Sequence, residues 1–340
     1  MSVDLHKQKA PLSGHGFRWD TSLVPVAASQ THFHLLSIVN TEISRRNPSA
    51  GEIIRVLDVG CGDGMLLIYL SGALQACWPS LTFELYGFDV GDHGLQAPSF
   101  FRNALARLDA AAPSGRWRER LALISENDPW PYEAGFFDVV VSNQVLEHVR
   151  NQTLFFSELG RVLHDQGFSA HLYPSGHCLV EPHLHVPFAH WIRDVELLGA
   201  WLRLWSKIGF SNYRGWARTR RNMKPALDDK LDTYVREHTN FLAHLTNYKT
   251  QGEMHVLAKA SGQGSSFCYT PHYYTGKLRS ILGREQIARY PAGSPFVAML
   301  SNVLLRYVSS VTLLTSSDPN RQSAEVPAAA SSQSSRQRSA

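Results

Sequence analysis

The sequence predicts an α/β protein, a mostly parallel sheet with helices on both faces. Three observations carry this. Short apolar, β-branched runs alternate with longer stretches of helical period between about residues 50 and 175. The first of these runs, Ile53 to Val59, ends in Gly60, Gly62 and Gly64 before a helical stretch opens at Met65. The second, Phe83 to Phe88, ends in an acidic residue, Asp89.

With 340 residues, 44% hydrophobic and 18% charged, the chain can bury a substantial core, as one elaborated domain or two small ones. The formal charge of +4 is mild and spread out, so nucleic acid is not expected as a partner. Cys61, Cys77, Cys178 and Cys268 are far apart and form no C-x-x-C pair. That argues against a disulfide framework or a Cys-rich zinc site and fits a reducing cytoplasm. The N-terminus shows no apolar signal segment.

In chain order, residues 1–50 read as an N-terminal cap segment. They contain an amphipathic helix from Thr31 to Arg46 that either packs on the sheet or lies over a ligand. The glycine turn follows the first strand. So sharp a turn needs φ > 0 and no Cβ, and it brings a ligand close to free N–H groups at a helix start. A dinucleotide fingerprint is spaced G-x-G-x-x-G. Here the spacing is Asp58-x-Gly60-x-Gly62-x-Gly64, and a carboxylate in that place suits a ligand's ammonium group better than pyrophosphate. Asp89 is placed to accept hydrogen bonds from both hydroxyls of a ribose. Ser99–Ala112 reads as a helix, Leu121–Ser125 as strand three, Phe137–Ser142 as strand four, 151–163 as a helix and Phe168–Tyr173 as strand five.

The glycine stretch resembles motif I of the class I S-adenosylmethionine-dependent methyltransferases. Asn143-Gln144-Val145-Leu146-Glu147-His148-Val149 is similar to the segment after strand four in the small-molecule subgroup that includes ubiquinone-pathway methyltransferases. Arg161-Val162-Leu163-His164-Asp165-Gln166-Gly167 resembles that family's R-x-L-K-P-G-G turn, with His164, Asp165 and Gln166 departing from it. The resemblance spans roughly residues 52 to 175. It implies a Rossmann-like, seven-stranded, mostly parallel sheet. It also implies S-adenosyl-L-methionine held by Asp58, Gly60, Cys61, Gly62, Gly64, Asp89, Val90, Asn143 and Gln144, with Asn127 or Asp128 at the adenine amino group. Glu147 and His148 would then open the next helix near the reacting centre. Asn127-Asp128-Pro129-Trp130-Pro131-Tyr132 is superficially similar to the adenine-N6 methyltransferase motif, but it follows strand three where that motif follows strand four.

From Pro174 to Trp191 the chain leaves the carboxyl end of the sheet, where doubly wound folds bind ligands. Glu181, His183, His185 and His190 lie there, and three roles are open. One of them, or His148, is a general base; or Glu181-x-His183-x-His185 holds a metal; or the histidines line a pocket with Phe188 and Trp191. Spacing alone makes no metal site, so none is assigned. Trp191–Ile208 reads as a helix, Gly209–Trp216 as strand six and Arg218–Thr250 as a helical insertion. Glu253–Ala260 resembles the family's strand seven. The methyltransferase domain is thus expected over 51–260, with lid and insertion at 176–250. A C-terminal extension (261–315) follows, with a docking or dimerisation helix over 295–314 or, alternatively, a membrane-surface contact there. Residues 316–340 read as a disordered tail. The expected activity is methyl transfer to a small-molecule acceptor, at oxygen, with glycan or lipid-linked acceptors among the options. The rivals are a nicotinamide-dependent oxidoreductase and a non-catalytic partner subunit.

Overall fold

The structure, a computed structural model, describes residues 16–20, 22–94, 99–223, 228–291 and 309–317. Its strands are β1 (Ile53–Val59), β2 (Thr82–Val90), β3 (Leu121–Ile124), β4 (Phe137–Asn143), β5 (Leu163–Pro174), β6 (Gly264–Ser266) and β7 (Ser310–Ser316). Its helices are α1 (Gln30–Arg46), α2 (Met65–Cys77), α3 (Phe100–Ala111), α4 (Trp117–Arg120), α5 (Gln152–Val162), α6 (Val195–Lys207), α7 (Tyr213–Met223), α8 (Leu231–His244), α9 (Gln251–Ala260) and α10 (Thr270–Ile281). The sheet has seven strands in the order β3-β2-β1-β4-β5-β7-β6. β1 to β5 pair in parallel, while β7 runs antiparallel to both β5 and β6. The strand order reverses between β1 and β4, which opens a crevice at their carboxyl ends.

Alternate residues of β1 feed two core layers. Ile54 and Val56 pack with α1 and α2 on one face, whereas Leu57 and Val59 pack with α5 and α9 on the other. The first helix lies on the sheet. Every residue from His32 to Ile43 is buried, including polar ones that the amphipathic pattern would place in solvent. The C-terminal extension explains this, because it wraps the helix's outer face. His34 hydrogen-bonds Tyr290 and Thr312, Asn40 donates to the Ala288 carbonyl, and Tyr269 donates to Glu42.

The late strands lie elsewhere than expected. Gly209–Trp216 is no strand: Gly209, at φ 89°, closes α6, and the Ser211 hydroxyl accepts from the Tyr213 N–H to start α7. Glu253–Ala260 is helical because Thr250 and Glu253 form a reciprocal capping box ahead of it. Strands six and seven come instead from 264–266 and 310–316, in which Val311, Thr312 and Thr315 are buried. Residues 310–314 of the expected docking helix are therefore strand. Residues 295–308 and 318–340, with the rest of that helix and nearly all of the expected tail, lie outside the described residues. No helix among the described residues is long and apolar enough to cross a membrane. Beyond the sheet, α6 and α8 pack with the lid through Leu184, Leu198, Leu202, Tyr234 and Leu242.

Candidate active site

Gly60, Gly62 and Gly64 all have positive φ, at 68°, 53° and 79°. At Gly60 a Cβ would lie 2.6 Å from Val145 Cγ2, and at Gly64 one would lie 2.8 Å from Leu108 Cδ1. The loop thus presses onto the turn after β4 and onto α3 with no room for side chains. Asp89 ties the tip of β2 to this loop. Its Oδ2 accepts from the Gly62 N–H at 2.7 Å and its Oδ1 from the Val90 N–H at 2.8 Å. Burial pushes the Asp89 carboxyl upward in pKa, partly offset by those two bonds. Asp58 is also buried, and burial together with the Asp89 charge raises it well above the carboxylate range. Its Oδ2 has no hydrogen-bond partner. Cys61 lies under the loop against Gly87, and its N–H donates to the Phe88 carbonyl at 3.0 Å.

A cleft partly open to solvent lies across these strand tips. Gly60, Asp89, Val90, Glu126, Gln144, Val145 and His148 are among the residues lining it. Glu126 was missed by sequence reasoning. Asn127 and Asp128 are exposed and do not line the cleft, and Asp128 instead accepts from the Ser125 N–H at 3.0 Å to form the turn. Glu126, one residue nearer the strand, turns inward. Its Oε1 accepts from Arg150 at 2.8 Å, while its Oε2 is buried without a partner. Asn143 ends β4 with a buried, unpartnered Oδ1, and Gln144 adopts φ 60° while its N–H donates to the Leu172 carbonyl.

Leu146–His148 forms a separate 3₁₀ turn, correcting the expected helix opening; α5 starts at Gln152, capped by the Asn151 side chain. His148 lines the cleft and also faces the lid. Its Nδ1 lies 2.8 Å from the Leu245 carbonyl, and burial pushes its pKa down to about 4. Glu147 is fully buried, and burial pushes it up to about 8. Glu181 is fully buried too, but Oε1 accepts from Tyr248 at 2.5 Å and from His183 Nδ1 at 2.9 Å, and Oε2 accepts from the Leu184 N–H at 2.6 Å. Burial raises its pKa, yet these bonds outweigh it and hold the carboxyl below its ordinary value. Burial lowers His183 in turn, but Glu181 wins and the imidazole is more basic than usual. The rings of His148 and His183 are 5.5 Å apart.

Three of the five base candidates therefore meet: His148, Glu181 and His183. His190 stands at the edge, its ring 5.1 Å from that of Tyr248 and its Nε2 3.6 Å from Cys178 Sγ. His185 is exposed at φ 58° and does not join, so Glu181, His183 and His185 share no ligand face. Segment 245–249, at the end of the insertion, stitches the cluster together. Asn247 donates from its backbone N–H to the Glu147 carbonyl and from Nδ2 to that of Val149, while Gly176 of the lid donates to the Lys249 carbonyl.

A family model described as a methyltransferase domain matches residues 32–224, more than half of the chain. The chain belongs to the methyltransferase family. S-adenosylmethionine is the family's methyl donor, and the sheet is the Rossmann-like one expected. This methyltransferase is 29% identical over 114 residues to the malonyl-[acyl-carrier protein] O-methyltransferase of Legionella pneumophila. That match covers 33% of this chain and 34% of the relative, so the chain spans about a third of the relative's length. Among solved structures, this methyltransferase is similar to PKMT2 from Rickettsia typhi in complex with AdoHcy. Identity there is 15%, coverage is 86% of this chain and 54% of that one, and the TM-score is 0.47. An S-adenosylmethionine-dependent methyltransferase from Mesorhizobium loti matches at 14% identity over 79% of this chain and 92% of that one, with a TM-score of 0.43.

Proposed function

We propose that this methyltransferase transfers a methyl group from S-adenosylmethionine to an oxygen of a small acceptor that enters between the cleft and the histidine lid. When bound, S-adenosylmethionine supplies a methyl group on a sulfonium sulfur, an electrophile that needs no further activation. The chain offers what such a ligand lacks in water. Asp58 Oδ2 and Glu126 Oε2 are buried carboxylate oxygens without partners, and Asp89 and Glu126 line the cleft. Asp58 would take the ammonium group, Asp89 the ribose hydroxyls and Glu126 the adenine amino group. A cation beside Asp58 would also relieve its repulsion with Asp89.

The observation that carries the acceptor reading is the position of His148, which lines the cofactor cleft and touches the Glu181–His183 pair. These imidazoles can receive a proton or fix an acceptor's oxygen, and alignment in a closed site is worth several kcal/mol. Naming of the Legionella relative as an O-methyltransferase supports oxygen over nitrogen. Among the described residues no cysteine forms a disulfide, which supports a cytoplasmic setting. No basic stripe supports a nucleic-acid partner.

The test is thermal unfolding of wild type and Asp89→Ala with S-adenosylhomocysteine and, separately, NAD. At about a hundred times its Kd a ligand adds about 2.7 kcal/mol of apparent stability. A shift with S-adenosylhomocysteine, lost in Asp89→Ala, is expected; a shift with NAD alone would sink the proposal. Hydroxyl and amine acceptors assayed side by side with labelled methyl donor then decide the atom methylated.

A further inference from the structure

Glu147 has no task in the reading above. Its side chain is fully buried, both carboxyl oxygens lack a hydrogen bond, and no Lys or Arg among the described residues is paired with it. A buried carboxyl without a partner is expensive, so its neighbours decide what it is for. One donor atom from each of Glu147, His148 and His183 lies within 4.8 Å of the other two. His148 Nε2 is 3.9 Å from Glu147 Oε1.

The outer ring nitrogens are already committed. His148 Nδ1 meets the Leu245 carbonyl at 2.8 Å, and His183 Nδ1 meets Glu181 Oε1 at 2.9 Å. A carbonyl and a carboxylate can only accept, so each Nδ1 carries the proton and each Nε2 keeps a lone pair. Metal-binding histidines are oriented in this way, by an outer N–H donated to a carbonyl or carboxylate. The orienting groups are held in turn, since Tyr248 donates to Glu181 and Asn247 pins the Glu147 backbone.

We propose that Glu147, His148 and His183 form a binding site for one divalent transition-metal ion of the zinc class, where the lid meets the cofactor cleft. Two imidazoles and a carboxylate suit zinc, iron or manganese, whereas magnesium and calcium prefer all-oxygen sets. Ligand bonds of about 2.1 Å put tetrahedral donors about 3.4 Å apart, so the side chains need only close slightly. Three protein ligands leave a position open. Because His148 lines the cleft, that position belongs to the space the acceptor enters, where an ion would hold an acceptor oxygen and favour its deprotonated form. This last role rests on the methyltransferase reading; the site itself does not.

The full chain is stripped with a chelator and titrated with Co²⁺, read by visible absorption, then with Zn²⁺ by equilibrium dialysis. One saturable ion per chain is expected, bound at least a hundredfold more weakly by Glu147→Gln and by His183→Gln. Binding by Glu181→Gln should fall about tenfold or more, and His185→Gln should match wild type. A cooperative thermal unfolding transition certifies that each variant is folded. Asp89→Ala should lose the thermal shift with S-adenosylhomocysteine and keep the Co²⁺ spectrum. Absence of a stoichiometric Co²⁺ signal in wild type, or its survival in both Glu147→Gln and His183→Gln, overturns the site and leaves the cofactor reading intact.

Discussion

In the cleft at the strand tips, backbone groups set the geometry. Glycine φ values shape the loop, the Gly62 and Val90 N–H groups fix Asp89, and the Gln144 N–H anchors the turn after β4 to β5. In the histidine cluster, side chains set it. Glu181, His183 and Tyr248 hold one another, and they come from segments about 65 residues apart. The two regions share His148. A cleft made of backbone depends on the fold being right and on very few side chains; a cluster made of side chains can be dismantled one residue at a time. Substitutions in the cleft should therefore act on cofactor affinity, and substitutions in the cluster on turnover.

The largest expected effect is at Asp89, whose carboxylate holds the loop and, in the proposed reading, the ribose. Asp89→Ala removes two charge-assisted bonds and the ribose contact, at about 1.5–3 kcal/mol each. S-adenosylhomocysteine affinity should fall by more than about a hundredfold, measured by calorimetry. A smaller loss would show that the ribose is held elsewhere. His183→Gln sharpens the comparison from the other side. Turnover should fall by about 10²–10³ while S-adenosylhomocysteine Kd stays within about twofold. If Kd changed as much as turnover, the two regions would be a single site.

The glycine turn and the acidic end of β2 could be read in the sequence because each is local: a strand, its turn and the next helix follow one another within a few residues. The cluster could not, because Leu245, Asn247 and Tyr248 carry no local pattern and reach Glu147, His148 and Glu181 only through folding of the insertion. The late strands failed for a different reason. Gly264–Ser266 has nothing strand-like in its composition, and Ser310–Ser316, far along the chain, inserts between it and β5. The one available signal was the Thr250–Glu253 capping box, which marks α9 as a helix.

A pH series separates global stability from the two regions. His34 and His171 are fully buried, and burial pushes both down to about 3. The unfolded chain takes up protons below about pH 6.5 while the folded one does not. Their contribution is thus complete above that pH and is lost as pH falls toward 3, by up to about 1.4 kcal/mol per pH unit for each histidine. Urea midpoints should fall between pH 7 and 5, and His171→Gln should flatten the slope by one proton. An unchanged slope would mean that His171 is protonated in the folded state. Activity lost over a pH range where the midpoint is still flat belongs to the cluster.

The smallest effect concerns the cleft's acidic floor, and it discriminates between neighbours. Glu126 Oε2 is buried without a partner, and Oε1 is held by Arg150. Asn127 and Asp128, one and two residues further from β3, are exposed. A hydrogen bond from a ligand's amino group to a charged acceptor contributes about 1.5–3 kcal/mol. Glu126→Gln keeps an acceptor but loses the charge, so S-adenosylhomocysteine affinity should fall by about five- to tenfold, or about 1 kcal/mol. Asn127→Ala should leave it unchanged. An analogue with a keto oxygen in place of the adenine amino group removes the donor itself, so wild type should bind it weakly and Glu126→Gln should discriminate much less. Equal discrimination by both proteins would place the adenine away from Glu126 and return the contact to the neighbouring turn.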